Sequence, residues 1–591
     1  MKIEDMNNVL YIDLTKKDIR TEERPDLFDA YLGGTGVAIK LLEEECPHGI
    51  DPLSESNPII FAVGPLNGLY PSASKTVAMF KSPLTGNLGE SHCGGRSATA
   101  IKFAGYGAIV ITGSSDIPLY LAIAGDEVKF KDASSIWDME AVTVGRVLRE
   151  VEKGAGVRTI IRMGTAGGKM VRYACAVTET YRHFGRLGLG AVMGSKKLKA
   201  LVISADKSVE IAKEKRKEYQ RVYDEIQDVV VKTDAMEKYH DLGTSGKIYS
   251  LNKLGGMAYR NLESASAPEE IAREFSGESI AEKYLSRRVS CAHCPVGCIH
   301  LASLRELYEP GYYFKTSTMS YDNEPIYSLG FMLGMESAED YLRLNDRVDS
   351  EGMDAISTGV ILAWATEAYA KGLITKEHTD GLEFRWGDVQ VYSKAIKKIV
   401  EMPNEFYHNL AQGVEHASSV YGGQDYALAF GGNEMAEYHT GLACYMNNLT
   451  GARHSHLDSA GYDLDQKLIG KEFSIEEMVS ALLKEEEWRQ ILSSLVVCFF
   501  ARKVFTSERV IKALDAIGLE GWTAEKLEVL GRDIHRAKMD FKFREGYDLT
   551  NLRIPKRIFE VPTPHGLLKE ADLRKAIEVF GEMIGRRKET P

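Results

Sequence analysis

The chain is 591 residues long, with 44% hydrophobic and 27% charged residues and a formal net charge of −12. That length exceeds one ordinary core and asks for about two to four domains, and the composition is that of a globular chain. The negative balance speaks against a large nucleic-acid footprint and gives no polybasic membrane signal, no apolar run reaches the roughly 18 residues of a membrane span, and the start M-K-I-E-D-M-N-N lacks a signal peptide's basic and apolar regions, so a cytoplasmic chain is expected.

From residue 1 to 207, short apolar runs are broken by glycine or proline: P-I-I-F-A-V, T-V-A-M-F, G-A-I-V-I-T-G, L-Y-L-A-I-A and L-K-A-L-V-I-S. This spacing predicts a β-rich first domain. From 208 the texture changes to charged helical patterns, beginning with A-K-E-K-R-K-E-Y-Q-R-V-Y-D-E-I. Two mainly α-helical domains are expected, over 208–424 and 425–591, giving an α+β chain. After Lys484, the residues Trp488, Ile491, Leu492, Leu495, Val496 and Phe499 recur at helical spacing and predict one apolar helix face, with Cys498 beside it. No internal repeat or low-complexity tract interrupts the chain.

Eight cysteines in a chain this long do not make a disulfide framework. Three of them, Cys291, Cys294 and Cys298, fall in S-C-A-H-C-P-V-G-C-I-H, a C-x2-C-x3-C run whose spacing points to a metal. His293 or His300 could complete a Cys3His zinc site. The order is the reverse of the C-x3-C-x2-C run of radical-generating S-adenosylmethionine clusters. A 4Fe–4S cluster fits if a fourth thiolate arrives from Cys46, Cys93, Cys175, Cys444 or Cys498. Composition does not choose among these, each of which reads equally well as a small buried hydrophobe.

The surrounding residues carry a resemblance along nearly the whole chain. Y-L-G-G-T-G, D-P-L-S-E-S-N-P, G-P-L-N-G, K-S-P-L-T-G-N-L-G, I-K-F-A-G-Y-G-A-I and the long F-G-R-L-G-L-G-A-V-M-G-S-K-K-L-K-A stand in the first domain. S-G-E-S-I, the cysteine run, D-S-E-G-M-D and F-R-E-G-Y-D follow. Together they resemble the tungsten-containing aldehyde ferredoxin oxidoreductases. The resemblance implies one 4Fe–4S cluster on Cys291, Cys294, Cys298 and Cys498, the last ending S-S-L-V-V-C where the family has D-x-x-G-L-C. It also implies tungsten held between two pterins by dithiolene sulfur, with a Mg2+ ion bridging the pterin phosphates.

The implied cofactor-binding residues depart from the family pattern in places. Lys75 replaces an arginine between pterin and cluster, and His92, in H-C-G-G with Cys93, Gly94 and Gly95, replaces an asparagine near the Mg2+ ion. Arg182, Gly185 and Arg186 match positions that cradle the pterins, and His183 one that offers mainly a backbone carbonyl. On their own the two arginines would read as solvated charges near a turn. Asp349, Gly352 and Asp354 match a motif whose carboxylates accept from pterin nitrogens; in the second such motif Ser493 replaces the aspartate and Val497 precedes the cysteine. His456 stands two residues beyond His454 as a further cofactor contact.

Glu324 in D-N-E-P-I-Y-S-L-G and His454 in T-G-A-R-H-S-H resemble the family's catalytic pair. A buried carboxylate with a raised pKa would take a proton and a histidine would stabilise developing charge. Asn323 replaces the family's tyrosine. The expected reaction is oxidation of an aldehyde with water to a carboxylic acid, electrons passing to ferredoxin or a small iron–sulfur subunit. An aromatic acyl-CoA ring reductase and a non-catalytic iron–sulfur scaffold are the alternatives. The aldehyde, the choice of tungsten over molybdenum and the oligomeric state are left open.

Overall fold

The computed structural model describes residues 6–179, 181–309 and 313–588. Two six-stranded sheets occupy the first third. In spatial order, the first comprises Asp18–Glu23, Asn8–Asp13, Ala108–Thr112, Ile59–Ala62, Thr76–Lys81 and Leu88–Cys93. The second comprises His183–Phe184, Ala176–Val177, Val157–Met163, Leu198–Ala205, Leu119–Ala124 and Glu127–Asp132. Each apolar run expected as a strand is one. Ile59–Ala62 and Thr76–Lys81 are buried throughout, as strands covered on both faces are.

Alternation along these strands assigns their two faces. Ile60, Ala62, Val77 and Met79 pack with Ile491, Leu495, Leu530 and Ile534 of C-terminal helices. Ile59, Phe61, Ala78 and Phe80 pack instead with Leu121, Ile161 and Leu201 of the second sheet. The first sheet is therefore a shared wall between the N-terminal and C-terminal parts.

From Arg216 onward, helices dominate, relieved by a three-stranded sheet of Leu285–Val289, Ile299–Glu309 and Tyr313–Ser320. The cysteine run lies between the first two of these strands. Helix Ile475–Ser494 begins on a capping box, Ser474 with Glu477, and carries Trp488, Ile491 and Leu492 of the expected stripe. It stops before Leu495, and Val496 has a left-handed backbone, φ 56°. The reason is competition for the backbone: Val496 O accepts from Lys75 N–H at 3.1 Å, and Cys498 N–H donates to Ser72 O at 2.8 Å. The Gly33–Gly34 turn closes on the same helix end. A Cβ at Gly34 would stand 2.2 Å from Ser493 O, so the pair serves close backbone approach as well as a turn.

Candidate functional site

The segment 72–75 runs between the two cysteine-bearing stretches. Besides the bonds to 496–498, Ser72 N–H donates to His293 O at 3.2 Å, and the Ser72 hydroxyl stands 3.7 Å from Cys294 Sγ. Ala292 N–H donates to Gly95 O at 2.8 Å. A Cβ on Gly94 would lie 2.8 Å from Cys291 Sγ and 3.4 Å from Lys75 Nζ. Burial would lower the Lys75 pKa, but Cys498 and Cys291 beside it outweigh that and raise it. Burial drives Cys298 up to about 12, with Cys498, Cys291 and Cys294 all adding to the rise. Four cysteines from positions two hundred residues apart thus share one neighbourhood with a buried ammonium among them.

Among the described residues, no three His, Cys, Asp or Glu side chains close on a single ion. His300 is engaged elsewhere, with Nε2 2.8 Å from His240 O and Nδ1 3.3 Å from the Tyr321 hydroxyl, so a Cys3His site would have to break both contacts. A four-thiolate set suits an iron–sulfur cluster. Cys46, Cys175 and Cys444 are buried thiols engaged elsewhere, on Pro47 O, Met353 O and Tyr438 O. Cys93 is buried beside it, its Sγ 3.8 Å from Thr178 Oγ1.

Of the expected pterin contacts, Arg182 stands at the cysteine group, its Cγ 3.9 Å from an added Gly94 Cβ, and its Nη1 pairs with Asp322. Arg186 Nε bonds Asp354 Oδ2 at 3.0 Å and its Nη2 bonds Glu434 O at 2.8 Å, while Nη1 is buried with no partner. His183 Nε2, 3.3 Å from Asp349 Oδ1, makes no hydrogen bond. Asp354 caps the helix Ala355–Ala370, its Oδ1 accepting from Ile356 N–H at 2.9 Å. Gly352 ends the preceding helix at φ 76°, where a Cβ would press to 2.7 Å from Gly164 N. Ser493 and Val497 are buried at the helix end already described. Around Gly185, the nearest atom to an added Cβ is 3.8 Å away. A buried guanidinium N–H without an acceptor, beside open space at a glycine, fits an anionic or heteroaromatic ligand such as a pterin.

Magnesium does not fit the His92 imidazole. Its Nε2 is 2.6 Å from Glu90 Oε1, which also accepts from Thr35 Oγ1 at 2.6 Å, and Glu90 Oε2 pairs with Lys538 Nζ at 2.5 Å. Burial holds His92 down to about 4, the Arg453 and Lys538 charges adding to it against the pull of Glu90. A neutral, already bonded nitrogen is a poor partner for a cation that takes oxygen ligands.

Glu324 lies in a charged and aromatic nest. The Tyr438 hydroxyl donates to its Oε1 at 3.0 Å, His456 Nε2 is 3.4 Å away and Lys247 Nζ 3.8 Å. Lys247 also donates to the Tyr438 hydroxyl, and the Tyr438 ring stacks on Tyr462 at 4.1 Å. The raised pKa expected of Glu324 is not found. Burial pushes it up, but Lys247 and His456 more than offset this, and the carboxyl lies well below its ordinary range. The neighbour that does rise is Glu437, pushed up to about 8 by burial, with Glu324 adding to the rise.

His454 stands apart from Glu324. Its Nδ1 is 3.1 Å from Asn448 O, its ring is 5.3 Å from that of Tyr547, and its Nε2 is buried with no partner. Burial holds it down to about 3. The structure therefore pairs Glu324 with His456 and leaves His454 as a separate unsatisfied imidazole. Lys247, Glu437 and Tyr438 were missed from the sequence, since G-T-S-G-K and A-E-Y-H have no ligand spacing. Left-handed φ values of 70° at Glu437 and 50° at Tyr438 mark the nest as strained backbone, but only in three dimensions.

Comparisons with known proteins follow the same outline. The family model for the aldehyde ferredoxin oxidoreductase N-terminal domain matches residues 9–205, and that for domains 2 and 3 matches residues 221–586. The tungsten-containing aldehyde ferredoxin oxidoreductase of Pyrococcus furiosus is 31% identical over 574 residues, covering 94% of this chain and 91% of its own length. An aliphatic sulfonate oxidoreductase, WOR-like subunit, of the same organism is 32% identical over 411 residues, covering 66% and 64%. Among solved structures, the active site complex BamBC of benzoyl coenzyme A reductase with 1,5-dienoyl-CoA superposes with a TM-score of 0.82 over 99% of this chain and 95% of that one; at 22% identity this likeness speaks for the fold alone.

Proposed function

The chain belongs to the aldehyde ferredoxin oxidoreductase family, a family of oxidoreductases, and on that premise we propose that it oxidises an aldehyde and water to a carboxylic acid. Cys291, Cys294, Cys298 and Cys498 are the residues that would hold a 4Fe–4S cluster, which would supply one-electron transfer toward ferredoxin or a small iron–sulfur subunit. The observation that carries the proposal is the meeting of those cysteines with Lys75 against Gly94, a glycine whose Cβ has no room beside Cys291. His293 and Pro295, within the same loop, are exposed, which favours an external electron acceptor.

Arg182, Arg186 and Asp354 are the residues that would hold a tungsten bis-pterin, with Lys75 beside the cysteines. When bound, that group supplies the two-electron chemistry. Glu324, ionised because Lys247 and His456 stabilise its charge, accepts the proton released from the water-derived hydroxyl. Tyr438 fixes the direction of the accepting oxygen by its 3.0 Å hydrogen bond. Lys75 is a compact point charge where a guanidinium would present a planar fork, so it would offer cofactor and cluster fewer simultaneous hydrogen bonds.

The test is metal analysis of the anaerobically purified chain together with aldehyde-dependent reduction of a dye. About one tungsten and four iron per chain with dye reduction are expected. Zinc without iron overturns the proposal. Reduction of an aromatic acyl-CoA with no turnover of any aldehyde moves the reading to the ring reductase.

A further inference from the structure

Glu437 is fully buried, and its two carboxyl oxygens are treated unequally. Oε2 accepts from Asn323 Nδ2, while Oε1 is buried with no partner. The same Asn323 amide lies 3.4 Å from the Tyr438 hydroxyl, which bonds Glu324. Asn323 immediately precedes Glu324, so Glu437 grips the backbone neighbour of the reacting carboxylate and Tyr438 grips its oxygen. The groups facing Glu437 are Lys247, Glu324, Tyr327, Tyr438 and Cys444. Only one of these is a cation. One buried ammonium cannot neutralise two buried carboxylates, and an ionised Oε1 with no donor would be an uncompensated charge.

We propose that Glu437 is a positioning residue that is a neutral carboxylic acid at neutral pH and holds Asn323 and Tyr438 so that the whole charge of Lys247 serves Glu324. The two carboxyls then hold a single proton between them, resident on Glu437, while Lys247 stays an ammonium. This is the arrangement in which neighbouring carboxyls take opposite states because their surroundings differ. Ionisation of Glu437 adds a second negative charge, divides the lysine's influence and loosens the oxygen that accepts the substrate proton.

The kinetic half of this inference rests on Glu324 as the reacting base; the protonation state does not. Infrared difference spectroscopy on the purified chain, with or without cofactor, reads the carbonyl stretch of a buried protonated carboxylic acid. The unaltered protein should show that band at neutral pH and lose it with a midpoint near 8. Glu437→Gln should remove the band. In the loaded enzyme, aldehyde oxidation should fall above that midpoint, and Glu437→Gln, which keeps a neutral side chain of the same shape, should lose that alkaline fall. Glu437→Asp serves as the rescue, restoring both the band and the fall. A neutral-pH spectrum without the band, or a band unchanged by Glu437→Gln, overturns the protonation. A present band with an alkaline fall that survives Glu437→Gln overturns the positioning role alone.

Discussion

Two glycines expected to line the cofactor differ sharply in the space around them, and that difference gives a measurable contrast. A methyl at Gly94 would meet Cys291 Sγ at 2.8 Å and Lys75 Nζ at 3.4 Å. Favourable contacts lie near 3.5–4.0 Å, so roughly an ångström must open on the sulfur side. Overpacking of this kind costs about 1–3 kcal/mol. If the cysteine loop absorbs it, the fraction of chains with all four sulfurs in place falls by roughly tenfold to a hundredfold. A methyl at Gly185 meets nothing closer than His183 Cβ at 3.8 Å, so Gly185→Ala should change stability by less than about 0.5 kcal/mol. The two variants are compared by iron content, tungsten and pterin content, and thermal midpoint. Gly94→Ala should lose iron; Gly185→Ala should keep iron and midpoint but lose pterin, because its methyl points into space the ligand needs. Full iron and an unshifted midpoint in Gly94→Ala would refute the placement of Cys291 against that backbone.

Cys498→Ser should lower iron as far as Cys291→Ser does, while Cys444→Ser keeps it; full iron in Cys498→Ser removes that residue from the ligand set. Glu324→Gln should retain tungsten and pterin yet lower turnover by about 10²-fold or more, and turnover of several aldehydes at the parent rate would exclude Glu324 as the base. Glu90→Gln leaves Lys538 without its carboxylate in a buried site, a change of about 3–5 kcal/mol readable by denaturant unfolding. Burial opposes ionisation of Glu90, but Lys538 and His92 outweigh it and hold its folded pKa well below the ordinary 4.5. Its contribution to stability is therefore complete above about 4.5 and lost as pH falls toward the folded value. Acid unfolding of the parent should be steeper than that of Glu90→Gln, and equal slopes would count against the pair.

The strands were legible because the first sheet is covered on both faces and its runs are continuously apolar, as at Ile59–Ala62 and Thr76–Lys81. The end of helix Ile475–Ser494 was not legible. Apolar periodicity runs on through Leu495 and Val496, whereas the helix stops where backbone groups of Ser72 and Lys75 take its last bonds. Such partners lie some four hundred residues away and leave no local trace. The Glu324 nest shows the same limit. Resemblance supplies the carboxylate, but its low pKa is the work of Lys247, a residue without a motif. His454 and His456 read alike in T-G-A-R-H-S-H, and only the fold brings one of them within 3.4 Å of Glu324.

The proposed cluster site depends on docking rather than on any one stretch of chain. Gly94 and Lys75 come from the first sheet and the loops joined to it, Cys291 to Cys298 from the loop of the three-stranded sheet, and Cys498 from beyond the C-terminal helix. What aligns them is the closed contact of Gly33, Gly34 and Gly64 on Ser493–Leu495. Buried ties from the first sheet to helix Ala524–Arg544 and its end, Glu90 with Lys538 and Lys81 with Glu545 at 2.6 Å, fix the same register. Buried ion pairs add little net stability compared with apolar packing, yet a mismatched pairing leaves a charge unpaired at a cost of several kcal/mol. Their effect here is to make alternative dockings of the C-terminal helices unfavourable. Burial holds the Cys294 thiol up to about 11 and the Cys298 thiol up to about 12, so cluster insertion must displace their protons from a neighbourhood that the docked parts have already assembled. Lys75, beside Cys498 and Cys291, ties cluster binding to the register of the first sheet.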